Sequence, residues 1–141
     1  MGEQLEVTVN STDQKVQCAG VARSNPAITF DYRPPLGEGQ GYTPLEMLLM
    51  SLAVCSVTTI VYLLRQMRKS VAGFKVHARG IRRDTHPTAL EKIYLEFTMN
   101  STDTTDSDMK KALKLTEETY CPVWAMLKNN VEIFTEYKIS V

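Results

Sequence analysis

The sequence has few cysteines, a single tryptophan and no excess of charge of either sign. Its three cysteines, Cys18, Cys55 and Cys121, are an odd number, which argues against the disulfide framework of a small secreted protein. Sixteen basic residues balance sixteen acidic ones, and basic runs and zinc-finger spacings are absent, so no nucleic-acid partner is expected. A chain of 141 residues suits one domain, residues 1–141, because two domains would each be too small to bury a good core.

The first thirteen residues lack the apolar centre of a secretory signal, and they carry three acidic side chains. We therefore expect a cytoplasmic protein, in which a disulfide is more often catalytic or redox-sensing than structural. A metal site is not expected, because no Cys-x-x-Cys occurs and His77 and His86 have no recognised ligand spacing with the cysteines. An organic cofactor is not predicted either.

One apolar stretch is long enough to raise the question of a membrane span. Residues 47–64 contain no charged side chain. The length of this stretch is near the minimum for a transmembrane helix, roughly 18 residues. Serine and threonine side chains dilute its hydrophobicity, however, and the amphipathic strands elsewhere in the chain need a surface to cover. We therefore predict a core helix of a soluble protein, buried on all sides, with no membrane partner. A single-pass membrane protein is the alternative.

The order of the remaining segments predicts an α+β fold rather than repeated βαβ units. Alternating apolar residues and turn signals predict strands at 4–10, 14–19, 27–32, 73–83, 90–99 and 131–141. Helices are predicted from Thr43-Pro44 to about Lys69, from Ser107 to about Tyr120, and from Pro122 to Asn129-Asn130. So few strands cannot wrap so apolar a helix within one chain, and we expect part of it to pack against a second subunit in a homodimer.

Cys121 is the cysteine whose position alone suggests reactivity. It precedes Pro122, so we predict it at the start of a short helix, where free backbone N–H groups and the positive helix end lower the pKa of a thiol. The alternative is a small apolar residue at a helix junction. The residues around Cys55 favour an inert buried cysteine in the middle of a helix. Cys18, on a predicted strand, is interpreted as structural or incidental.

Two segments, taken together and in this order, resemble the OsmC/Ohr family of organic hydroperoxide reductases. The first is Thr43-Pro44-Leu45-Glu46 leading to Ser51-Leu52-Ala53-Val54-Cys55, and the second is Tyr120-Cys121-Pro122-Val123. The resemblance covers nearly the whole chain. It implies an α+β fold in which an intertwined homodimer packs long central buried helices against antiparallel β-sheets, with active sites at the subunit interface.

The resemblance also implies the chemistry and the roles of both cysteines. Cys55 would be the peroxidatic cysteine, which attacks a small organic hydroperoxide and becomes a sulfenic acid. Cys121 would then condense with it to a disulfide, and an external dithiol would reduce that bond through a mixed disulfide. The implied protein is a cysteine-based peroxidase.

The start of the long helix departs from the family's pattern and resembles a divergent OsmC-like branch. Well-studied peroxidases of the family have a glutamate directly after the proline, paired with an arginine that stabilises the thiolate. Here Leu45 has that position, and Glu46 follows it, rotated by about 100° around the helix. Glu46 is thus either a catalytic residue or only a helix cap. For the arginine, Arg23 ranks first and Arg33 second. The alternative function is an OsmC-like binding or redox-sensing protein with an apolar interface pocket and little peroxidase turnover.

Overall fold

A computed structural model describes residues 2–141, which form two compact units. One unit ends at Leu48, and the other covers Leu49–Val141. Met1, the first residue of the segment considered above for a signal, lies outside the described residues. The assignment of residues 1–141 to a single domain stays a prediction.

The N-terminal unit holds a three-stranded antiparallel sheet in the order β1-β2-β3. Its strands are β1 (Thr8–Ser11), β2 (Cys18–Val21) and β3 (Ile28–Phe30). The hairpin predicted at 4–10 and 14–19 therefore exists, but both strands begin about four residues later than expected. A longer turn delays β2: Oδ1 of Asp13 accepts hydrogen bonds from the backbone N–H groups of Lys15 and Gln17, at 2.8 and 3.1 Å.

A buried carboxylate organises the loop between β3 and the first helix. Oδ1 of Asp31 accepts from the Tyr32 N–H at 2.8 Å, and Oδ2 accepts from the N–H groups of Glu38 and Gln40, at 3.1 Å each. These bonds, above all the one from the Gln40 N–H, hold the pKa of Asp31 below its usual range. A Cβ at Gly37 would lie 2.2 Å from Oδ1 of Asp31, so the loop closes this tightly only around a glycine. This buried carboxylate was not predicted from the sequence.

The long helix, α1 (Pro44–Gln66), begins in the N-terminal unit and continues through the second. Its buried residues recur every fourth position: Leu52, Ser56, Ile60 and Leu64. The prediction of burial on all sides is wrong for the single chain, since Met50, Val54 and Tyr62 are exposed. By length and composition α1 could cross a membrane, which is weak evidence, because core helices of soluble proteins pass the same test. What the single chain leaves uncovered is one apolar face of α1.

The second unit holds a sheet in the order β4-β5-β6. Its strands are β4 (Gly73–Arg82), β5 (Leu90–Asn100) and β6 (Glu132–Ser140). The predicted inner face of β5 is confirmed, since its members are all buried: Ile93, Leu95, Phe97 and Met99. β4 pairs with β5 antiparallel, but β6 runs parallel to β5, which corrects the expectation of an antiparallel sheet. A parallel pair needs a long crossover, and the helices between β5 and β6 supply it.

That crossover consists of α2 (Asp106–Leu115), a π-helix (Thr116–Tyr120) and α3 (Pro122–Leu127). A capping box starts α2: the Asp108 N–H donates to Oγ1 of Thr105 at 3.1 Å, and the Thr105 N–H donates to the Asp108 carboxylate at 2.9 Å. The prediction of one α-helix from 107 to 120 is wrong in its last five residues. There the backbone hydrogen bonds join residues five apart instead of four apart, which makes the helix wider.

Candidate active site

The two cysteines of interest meet in the second unit, 66 residues apart in sequence. The Sγ–H of Cys121 donates to Sγ of Cys55, and the two sulfur atoms are 2.8 Å apart. Cys55 is half-buried in the middle of α1, whereas Cys121 is only 2% exposed. The third cysteine, Cys18, lies on β2 of the N-terminal unit, and its thiol donates to the carbonyl of Val16 at 3.6 Å. Of the three cysteines, Cys55 and Cys121 are the pair whose thiols are in contact.

The π-helix determines which residue faces Cys55. The Cys121 N–H donates to the carbonyl of Thr116, five residues earlier, at 3.0 Å. Thr116 is fully buried, and its Oγ1 donates to the carbonyl of Ala112 at 2.8 Å. In a regular α-helix the residue four positions after Thr116 would follow it on the buried side, but that residue, Tyr120, is exposed. The wider turn therefore brings the cysteine, rather than the tyrosine, to the buried side.

Cys121 is also the N-cap of α3, as the sequence predicts. Its backbone is extended, with φ −83° and ψ 109°, and its Sγ accepts a hydrogen bond from the Trp124 N–H at 3.4 Å. The predicted lowering of its pKa is wrong, however. Burial, followed by the contact with Cys55, raises the pKa of Cys121 to about 11, and the Trp124 N–H offsets only part of this. Cys121 is therefore a protonated donor at neutral pH.

This protonation state predicts that Cys121 resists alkylation in the reduced, folded protein. With a pKa of about 11, only about one molecule in a thousand carries the thiolate at pH 8. Iodoacetamide should therefore modify Cys121 at least ~100-fold more slowly in the folded protein than in urea. The tryptic peptide 115–128 contains Cys121 and no other cysteine, so mass spectrometry can follow it. Equal rates in the folded and unfolded states would contradict the assignment.

Glu46 has the geometry of a helix cap. Its Oε1 accepts from the Thr43 N–H at 2.8 Å, and its own N–H donates to Oγ1 of Thr43 at 3.3 Å. These bonds, and secondarily the charge of Arg33, hold the pKa of Glu46 below its usual range. Cys55 follows nine residues later on α1, which in a regular helix is about two and a half turns and points to the opposite side. Capping thus accounts for Glu46, and its catalytic role stays a prediction.

The two arginines considered for the site both belong to the N-terminal unit. Arg23 is exposed in the turn after β2, where its φ of 57° is left-handed. Arg33 is exposed on the loop that closes around Asp31, and its positive charge acts on Glu46. The local electrostatics therefore connect Arg33, rather than Arg23, with the acidic residue at the start of α1. Within residues 2–141, no cluster of histidine, cysteine and carboxylate side chains is arranged to hold a metal ion.

Comparison with known proteins matches residues 37–136 to the family model described as OsmC-like protein. Protein YhfA of Escherichia coli strain K12 is 32% identical over 97 residues, which are 69% of this chain and 72% of YhfA. The OsmC-like protein from Mycoplasma pneumoniae has a similar fold, with a TM-score of 0.86, 18% identity and full coverage of both chains.

The organic hydroperoxide resistance protein OhrB of Bacillus subtilis shares the fold more distantly. Its TM-score is 0.65 at 14% identity, over 96% of this chain and 98% of OhrB. The chain is thus an α+β protein in which the thiol of Cys55, on α1, contacts the thiol of Cys121, at the start of α3. It belongs to the OsmC-like family.

Proposed function

We propose that this protein reduces organic hydroperoxides through a Cys55 sulfenic acid and a Cys55–Cys121 disulfide. The observation that carries the proposal is the 2.8 Å distance between the two sulfur atoms. A disulfide bond is about 2.05 Å long, so the pair can close with a small movement. The family membership and the name of the hydroperoxide resistance protein OhrB also support the reduction of hydroperoxides.

The burial of the two thiols supports distinct roles for them. Cys55 is the more accessible sulfur and the acceptor of the bond from Cys121, so it suits the thiolate that attacks the hydroperoxide. The O–O bond breaks, one oxygen stays on Cys55 as the sulfenic acid, and the other leaves as the alcohol. The buried thiol of Cys121 then attacks the Cys55 sulfur and expels water. An external dithiol returns the disulfide to two thiols.

The proposal extends to the assembly and to the supporting arginine. A homodimer would cover the exposed apolar residues of α1, such as Val54 and Tyr62, and those of the N-terminal unit, such as Leu5 and Val7. An arginine, Arg23 or Arg33, is proposed as the cation that supports the Cys55 thiolate. Such a dimer would work as a soluble protein of the cytoplasm.

A binding or sensing protein is the second candidate, and the helix-capping geometry of Glu46 favours it. Such a protein would keep the cysteines reduced when a hydroperoxide is added, and an apolar ligand would raise its melting temperature. Stabilisation of a Cys55→Ser variant by a fatty acid would support it.

A thiol count distinguishes the two candidates. We expect one equivalent of cumene hydroperoxide to remove two of the three thiols per chain, because the adjacent sulfur atoms form a disulfide. Intact mass and a crosslinked tryptic peptide joining 24–65 to 115–128 identify the bond. The matched control is Cys18→Ser, which should lose its two remaining thiols in the same way. Three unchanged thiols in the unmutated protein would contradict the peroxidase and favour the binding protein.

A further inference from the structure

The face of the β4-β5-β6 sheet that points away from the helices carries a short stack of side chains. Arg79, Tyr94 and Phe134 occupy paired positions on β4, β5 and β6. The rings of Tyr94 and Phe134 are stacked, with their centroids 5.0 Å apart and an interplanar angle of 18°. The guanidinium carbon of Arg79 lies 4.3 Å from the centroid of the Tyr94 ring, which is a cation–π contact. The stack therefore begins with a cation on β4 and ends with an aromatic ring on β6.

This outer face of the sheet lies opposite the surface of α1 that a homodimer would cover. Ile93 and Leu95, the neighbours of Tyr94 on β5, are buried, so the Tyr94 side chain points to the other side of the sheet. On the inner side, a Cβ at Gly80 would lie 3.2 Å from the side chain of Leu49, so α1 packs against that side of β4. A second copy that covers the exposed residues of α1 is therefore separated from the stack by α1 and the sheet.

The end of the stack on β6 is open. Phe134 is 42% exposed, and within residues 2–141 β6 is the last strand of its sheet. Tyr94 covers one face of the Phe134 ring, so the opposite face is directed past β6 to the edge of the sheet. A ring in this position keeps apolar area in contact with water, which a further planar group would remove.

The charged side chains around Phe134 are mostly acidic. Glu132 and Glu136 flank it on the same face of β6, about 7 Å away along the strand, and Glu96 pairs with Glu136 from β5. All three are exposed, and none of them forms an ion pair within 4 Å in the described part of the chain. Lys92 pairs with Glu132 and is the cation on this part of β5. Three carboxylates and one ammonium group thus place the open ring in a negative field.

We infer that the open face of Phe134 binds the guanidinium group of an arginine on a partner polypeptide. A guanidinium is planar, so it stacks on an aromatic ring and at the same time donates hydrogen bonds to a carboxylate beside that ring. Arg79 already stacks on Tyr94, and Phe134 offers the next ring to a second guanidinium. Glu132 and Glu136 are the acceptors beside it. The inference goes beyond the proposed function and does not depend on the cysteines.

Charge and shape separate this partner from other ligands of an exposed aromatic ring. The bases of a single-stranded nucleic acid also stack on such rings, but the three carboxylates would repel its phosphates. A lysine ammonium group is attracted by the carboxylates, but it is strongly hydrated and lacks the planar shape that stacks. The arrangement therefore favours an arginine over a lysine at the same place.

A peptide titration followed by NMR tests the inference. The probe is a short peptide that alternates glycine and arginine, because every second side chain of an extended peptide points to one side. We expect saturable shifts of β5 and β6 amides, and a lower Kd than for the same peptide with lysine. Phe134→Leu should raise the Kd about fivefold, because it removes the ring and keeps an apolar side chain. Glu136→Gln should raise it about twofold at low salt and leave it unchanged at high salt.

Tyr120→Leu is the matched control. Tyr120 is an exposed aromatic residue of the same unit and follows two acidic residues, but its ring stacks on no other ring of the described residues. This variant should bind the arginine peptide like the unmutated protein.

Equal Kd values for the arginine and lysine peptides, or for Phe134→Leu and Tyr120→Leu, would overturn the inference. Binding of a thymidine oligonucleotide in place of the peptide would overturn it as well. If Phe134→Leu changes the oligomeric state in light scattering, Phe134 belongs to a subunit interface and the inference is wrong. Glu136→Gln leaves the ring in place, so its salt-dependent loss of affinity decides the result if Phe134→Leu does not fold.

Discussion

Replacing Cys55 by serine is expected to abolish hydroperoxide consumption, with a loss of at least ~10³-fold in rate. The physical reason is that a serine hydroxyl stays protonated and is a poor nucleophile at neutral pH, while Cys121 is buried and its pKa is raised to about 11, so it cannot replace Cys55. The measurement is the loss of cumene hydroperoxide with dithiothreitol as reductant. Substantial consumption by Cys55→Ser would contradict the assigned nucleophile.

Cys121→Ser is the informative counterpart, because it separates the two halves of the oxidative reaction. The variant should still attack the hydroperoxide, but it should stop at the Cys55 sulfenic acid, which dimedone traps and excess peroxide over-oxidises. Cys18→Ser should behave like the unmutated protein, since Cys18 lies in the N-terminal unit and contacts the Val16 carbonyl. A disulfide involving Cys18 in the Cys121→Ser variant would show that the pair is not exclusive.

Trp124→Ala is expected to lower the free energy of unfolding by about 3–5 kcal/mol, the usual cost of removing a buried aromatic side chain. Trp124 is 1% exposed and is the largest fully buried side chain among the described residues. Its loss leaves a cavity beside the short helix that begins after Cys121. Urea unfolding followed by circular dichroism, at one fixed protein concentration, measures the change.

Met126→Ala is the matched control, because Met126 lies on the same short helix but is 68% exposed. Its cost should stay within about 0.5 kcal/mol. If Trp124→Ala does not fold, Trp124→Phe gives a smaller loss at the same position and keeps the comparison. Equal costs for Trp124→Phe and Met126→Ala would mean that α3 contributes little to the core.

The elements that the sequence predicts best are those with a strong periodic pattern. Alternation along 90–99 predicts the buried face of β5, and Thr43-Pro44 predicts the start of α1 with its capping box. The direction of β6 could not be predicted in the same way. Alternation determines which side chains point inward, but it is the same for parallel and antiparallel neighbours.

The active-site pair could be predicted only in part from local sequence. Residues around Cys121 predict an N-cap, which the structure has, but they do not reveal how deeply the thiol is buried. Burial is a property of the tertiary structure, and here it outweighs the helix end and reverses the direction of the pKa shift. Cys55 has no local signal at all, and only its resemblance to a family motif identified it.

The π-helix shows in the spacing of the buried residues, which the structure was needed to identify. Met109, Ala112 and Thr116 follow a regular helical step of three and four, and Cys121 follows after five. A step of five does not fit an α-helix, whose period is 3.6 residues. Without the structure, however, it was not evident that Cys121 rather than Tyr120 lies on the buried side.

The position of Trp124 on the helix that Cys121 caps gives this protein a built-in optical reporter. The chain has one tryptophan, and its indole is buried within the same short helix that begins at the reactive pair. All intrinsic indole emission therefore comes from one place, three residues from the sulfur that changes oxidation state. Fluorescence quenching during a stopped-flow mixing experiment can follow disulfide closure and reopening in real time, without a dye or a coupled enzyme.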